Sequence, residues 1–142
     1  MKKRLMSVLT ICLVAFMMFQ VPMAYAKNNT DTAWSFNFDP YSLERYTEAR
    51  HKEDDSSIYF YVNKLGKVNN QYFIIRVVKG DFSELSYTKR ELVDRIGMYC
   101  LSSYAYEDYG YGVKVRVRGD RIENRSVYSS GVWSPDSYGC WE

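Results

Sequence analysis

Histidine is almost absent from this chain, and that shortage removes much of enzymology at once. His51 is the only histidine in 142 residues, so a Ser-His-Asp or Cys-His triad would have to be built on it. It lies in Ala49-Arg50-His51-Lys52, followed by Glu53-Asp54-Asp55, a setting that fits a solvated loop. No Gly-x-Ser-x-Gly nucleophile turn occurs either. Cysteine is scarce too. Of the three, Cys12 sits in an N-terminal apolar run, leaving Cys100 and Cys140, which with one histidine cannot close a tetrahedral zinc shell unaided. Glu53-Asp54-Asp55 lacks the regular Asp/Asn and Gly spacing of a calcium loop. No metal, cofactor or catalytic residue is therefore expected, and the chain reads as a non-enzyme.

An excess of one charge is also missing. Lys and Arg total 19 against 17 Asp and Glu, and three of the cations but no acid fall within residues 1–26, leaving 16 against 17. A near-neutral remainder argues against nucleic acid, or a broadly anionic lipid surface, as partner. Repeats, low-complexity tracts and linkers are absent, which suits one domain.

One long apolar run is present, and it gives an address. Lys2, Lys3 and Arg4 precede Leu5–Phe19, and Ala24-Tyr25-Ala26 supplies small residues for signal peptidase. Residues 1–26 read as a signal peptide cleaved between Ala26 and Lys27, so the mature chain is expected outside the cell. An uncleaved N-terminal membrane anchor is the alternative, although Gln20 and Pro22 interrupt the run where a span of roughly 20 residues needs its last turn. In an oxidising exterior Cys100 and Cys140 read first as a disulfide, with two free thiols as the other reading.

What remains is rich in aromatics. Thirteen of 14 tyrosines and all three tryptophans follow residue 26, a composition that favours pleated surfaces. Residues 27–32 look flexible, and 33–142 read as one antiparallel β-sandwich of about six to eight strands. Trp34, Phe36 and Phe38 alternate with Ser35 and Asn37, and Ile58, Phe60 and Val62 alternate with Tyr59 and Tyr61. Gln71–Val78 is apolar on both faces apart from Arg76, as in a central strand. Val113, Val115 and Val117 face inward, opposite a cationic ladder of Lys114, Arg116 and Arg118. Residues 65–70 and Lys79-Gly80-Asp81 read as turns, as does Gly119-Asp120, with Arg121–Val127 returning as a hairpin partner. Tyr99–Tyr106 reads as a strand closed by the turn at 109–112. Thr88 with Glu91 predicts a capped helix ending near Gly97, and Asp39-Pro40 predicts the start of another.

Function must then come from surfaces. Tyr59, Tyr61, Trp133, Ser134 and Asp136 are the candidate binding residues, because Tyr and Trp give large rigid contacts with a polar handle. Adjacent Glu107 and Asp108 suggest a carboxylate-dependent hydrolase as one alternative. Arg118-Gly119-Asp120, displayed on a turn, suggests an adhesion module as another. Asn28 and Asn124 head formal glycosylation acceptors.

Ala33-Trp34-Ser35-Phe36-Asn37-Phe38, Glu48-Ala49-Arg50 and the terminal Ser130-Gly131-Val132-Trp133-Ser134-Pro135-Asp136-Ser137 resemble an uncharacterised family of small secreted Gram-positive proteins. More distantly the chain resembles lactococcin-type bacteriocins, leader-bearing β-sandwich proteins that act on cell-wall precursor, although those generally lack cysteine. The resemblance implies a secreted sandwich that meets a cell-wall or envelope component non-covalently, with dedicated export or immunity proteins as further partners.

Overall fold

The aromatic alternation after residue 31 builds the first strand, β1 (Thr32–Phe38), of the computed structural model, which describes residues 30–66, 72–123 and 126–140. The expected cleavage site at Ala24, Ala26 and Lys27, the residues 67–71, and Asn124 with Arg125 lie outside the described residues. There follow β2 (Glu44–Tyr46), β3 (Arg50–Lys52), β4 (Ile58–Leu65), β5 (Phe73–Lys79), β6 (Glu91–Val93), β7 (Gly97–Leu101), a short helix α1 (Ala105–Tyr109), β8 (Val113–Arg121) and β9 (Val127–Ser134). Every strand pairing is antiparallel. Sheet I has the order β1-β9-β4-β7; sheet II has β2-β8-β5-β6, with β3 also on β8. The expected sandwich is present. It has nine strands among the described residues because β2, β3 and β6 are three-residue pieces that carry almost no periodic signal.

One aromatic cluster joins the sheets. Trp34 stacks on Phe60 at 4.3 Å within sheet I, while Phe38 and Phe36 reach Phe73 of sheet II at 5.4 and 6.0 Å. Such pairs contribute about 0.5–1.5 kcal/mol each beyond burial. Ile75 and Val77 complete the layer with Val115 and Val117, all four fully buried; of the three alternating valines only Val113 is partly exposed.

Gly119 explains why the predicted turn at Gly119-Asp120 is absent. β8 continues through it to Arg121, with Gly119 opposite both Ile75 and Arg45. A Cβ there would lie 2.8 Å from the Phe36 ring and 3.0 Å from Phe38, so this glycine makes room for aromatic rings against the strand. The predicted hairpin return also fails, because β8 and β9 belong to different sheets.

The predicted helix after Thr88 is extended instead. Glu91–Val93 pairs with Phe73–Ile75, and only Val93 is buried, while Leu92 and Ile96 remain exposed. The Thr88 hydroxyl accepts the Val77 N–H at 2.9 Å, so the oxygen that would cap a helix completes a sheet edge. Asp39-Pro40 forms a turn, in which the Tyr41 N–H donates to Asp39 Oδ1 at 2.8 Å. The strand expected over Tyr99–Tyr106 stops at Leu101, and α1 follows with Ala105 buried.

Candidate functional site

The outer faces of the two sheets differ sharply in charge. On sheet II the expected cationic ladder is neutralised by acids. Arg118 pairs with Asp120 at 2.6 Å, with Glu84 at 3.4 Å and with Glu44, while Arg76 pairs with Glu84 at 3.0 Å and Asp120 at 3.2 Å. Arg116 donates to the Gly80 and Thr47 carbonyls at 2.9 and 3.1 Å and lies 4.4 Å over Phe82. Asp120 is thus held mid-sheet between two arginines, which corrects its display on a tight turn. Glu107 and Asp108 both sit on α1, exposed, and Asp108 accepts the Ser86 hydroxyl.

On sheet I the outward positions are nearly uncharged. β1 presents Ala33, Ser35 and Asn37; β9 presents Tyr128, Ser130 and Val132. β4 adds Tyr59 and Tyr61, whose rings stack at 6.2 Å and 23°, and β7 adds Met98, 52% exposed, opposite Tyr61. Lys64, at the register shift after Val62, is the charge at the far end of the face. Burial, followed by the Asp31 carboxylate and Tyr61, raises the Tyr59 hydroxyl above the ordinary phenol range. The face ends in a concavity of about 250 Å³ lined by Asp31, Tyr59, Met98, Ser134, Asp136, Ser137, Tyr138 and Gly139.

The other three expected binding residues are interior. Trp133 is fully buried opposite Phe60, Ser134 donates to the Asp136 carbonyl at 2.8 Å, and the Asp136 side chain is wholly enclosed. Trp133 is therefore a core residue, not a stacking surface, because its position in β9 falls on the inward half of the alternation. Asp136 meets Lys52, whose Nζ lies 3.2 Å from Oδ1 and 2.9 Å from the Pro135 carbonyl, and also donates to the Ser56 carbonyl. The Glu53 N–H donates to Oδ2 at 3.0 Å and Oδ1 at 3.2 Å, and the Asp54 N–H reaches Oδ1 at 3.4 Å. Desolvation dominates for both partners, lowering the lysine pKa and raising that of the aspartate.

Sequence reasoning missed Lys52, since a cation in Arg50-His51-Lys52 gives no sign of burial. It also missed Met98 and Tyr128, which join the tyrosine face only through strand pairing, and Tyr138, which the segment after β9 brings to the concavity. His51 is exposed and hydrogen-bonded through Nδ1 to the Gly112 carbonyl at 2.6 Å, away from the concavity's lining. Among the described residues no cluster of three or more His, Cys, Asp or Glu is arranged to hold a metal. Cys100 and Cys140 are joined as a disulfide, Cα to Cα 5.4 Å, which fastens the chain after β9 beside this face.

No curated protein and no solved structure matches the chain. Residues 22–137 match a family described as "Protein of unknown function (DUF2712)", a span covering most of the sequence and running from the end of the N-terminal apolar run through Ser134-Pro135-Asp136-Ser137; the chain belongs to that family.

Proposed function

We propose that this is an exported contact protein that binds a cell-envelope component through the outer face of sheet I, non-covalently and without chemistry of its own on the ligand. The observation that carries this reading is the contrast between faces: sheet II spends its charges on one another, whereas sheet I offers Tyr59, Tyr61, Tyr128 and Met98, with Tyr59 and Met98 lining a concavity at one end. Amphipathic aromatics with little charge suit a sugar-rich polymer, whose apolar ring faces stack and whose hydroxyls take hydrogen bonds. The leader-like N-terminus and the disulfide agree with work outside the membrane. A bacteriocin-like activity is the sharper form of the same reading, with wall precursor as the ligand.

Sedimentation of the purified protein with Gram-positive wall fragments tests it. Tyr59→Ser with Tyr61→Ser should weaken binding about tenfold or more, in line with aromatic anchor positions, while leaving the far-ultraviolet spectrum unchanged. Equal binding by wild type and double variant would sink the assignment of this face. Inhibition zones on related cells would identify the bacteriocin-like form.

A further inference from the structure

The Lys52–Asp136 pair is enclosed and touches the concavity only through Asp136, and its surroundings are unusual. The two side chains are 1% and 0% exposed. A neutral amine carries two hydrogens and one lone pair, and Lys52 Nζ has three neighbours: the Ser56 and Pro135 carbonyls and Asp136. Nζ donates to all three, as an ammonium does, and passing the hydrogen on the 3.2 Å contact to Asp136 Oδ1 leaves a neutral amine with its lone pair on the side of the carboxyl group. The carboxyl is held from its other side by the N–H groups of Glu53 and Asp54. Backbone donors so placed stabilise the oxyanion that forms when an amine attacks a carboxyl carbon.

We propose that Lys52 and Asp136 condense to an intramolecular amide, Nζ bonding to Cγ with release of one water, and so tie β3 of sheet II covalently to the turn after β9 of sheet I. The step balances without oxidant or co-reactant. The lone pair of the neutral amine attacks Cγ of the protonated carboxyl; the tetrahedral centre collapses, and the hydroxyl leaves with a proton originally on nitrogen. Burial favours the two protonation states required, neutral amine and neutral acid. The carboxylates acting on Lys52 besides Asp136 are Asp54 and Glu107, and Asp54 also acts on Asp136. Arg50 is the other charge acting on Asp136. Fixed placement drives the reaction, since it replaces an encounter in solution.

Intact mass spectrometry of the exported chain, after reduction of its disulfide and with its N-terminus sequenced, tests this directly. The expected mass is one water below that of the residues present. Proteolysis should also yield a branched peptide joining the segments around Lys52 and Asp136. Lys52→Arg should restore the full mass and remove the branched peptide. A wild-type mass equal to the unmodified sum overturns the proposal, as does a missing water that maps to a linear peptide. Should Lys52→Arg fail to accumulate, the wild-type mass and the branched peptide decide the matter alone.

Discussion

A single missing side chain lets β4 and β9 meet. A Cβ on Gly131 would fall 1.8 Å from the Tyr61 carbonyl oxygen and 3.1 Å from the Trp34 ring, so the strands could not keep their spacing around a larger residue. Gly131→Ala should therefore cost ~3 kcal/mol, as overpacking against backbone does, read as a lower urea midpoint with unchanged slope. Asp81 supplies a pH-dependent counterpart. The Ser83 hydroxyl and N–H donate to its carboxylate at 2.6 and 3.1 Å, and with Lys79 they hold its pKa at about 2 rather than 3.8. A depressed carboxylate stabilises the fold above its unfolded pKa, and that contribution fades as pH falls from 3.8 toward 2. Carbon-detected NMR should show the Asp81 carboxyl titrating near pH 2, and a midpoint near 4 would contradict the turn geometry. That turn also holds Phe82 at φ 70°, a left-handed conformation uncommon for a bulky residue, against Tyr46 and Arg116.

At the scale of elements, Thr47 shows how two three-residue strands act as one. Between β2 and β3 its N–H donates to the Val117 carbonyl at 3.0 Å, and its hydroxyl accepts the Val117 N–H at 2.9 Å. A side chain thus replaces the carbonyl that a regular strand would offer. Thr47→Val keeps the shape but strands a buried N–H, and should cost about 1–3 kcal/mol; Thr47→Ser should recover most of it in the same thermal melts. Legibility in the sequence followed element length. β1, β4 and β8 could be read because five or more residues alternate against one core. β6 could not, since Thr88, Glu91, Leu92 and Val93 spell a helix start equally well, and only pairing with Phe73–Ile75 decides for extended chain. Gly119-Asp120 misled for a related reason. The rings that require Gly119 come from β1, some eighty positions earlier in the chain. Two of five expected binding residues, Tyr59 and Tyr61, lie on the tyrosine face; burial of Trp133, Ser134 and Asp136 depends on which half of an alternating strand faces in, and on a lysine from β3.

For the whole molecule, the last described residues act as a clasp. The Cys100–Cys140 bond closes a separation of 40 residues, and the Ser137 hydroxyl accepts the N–H groups of Gly139 and Cys140 at 3.1 and 3.2 Å. Replacing both cysteines with serine should lower stability by about 4 kcal/mol through the freed unfolded chain, measured as a drop in Tm under non-reducing conditions. Reduction of the wild-type protein should produce the same shift.

The broken margin of sheet II has a consequence for how these molecules crowd together. Its outermost segments, β2, β3 and β6, are three-residue strands, with β2 and β3 separated by the irregular residues 47–49. Fibril-like stacking needs a longer uninterrupted template. One layer is thus closed to growth, and any strand-by-strand association must start from seven-residue β1 or five-residue β7 on the other layer.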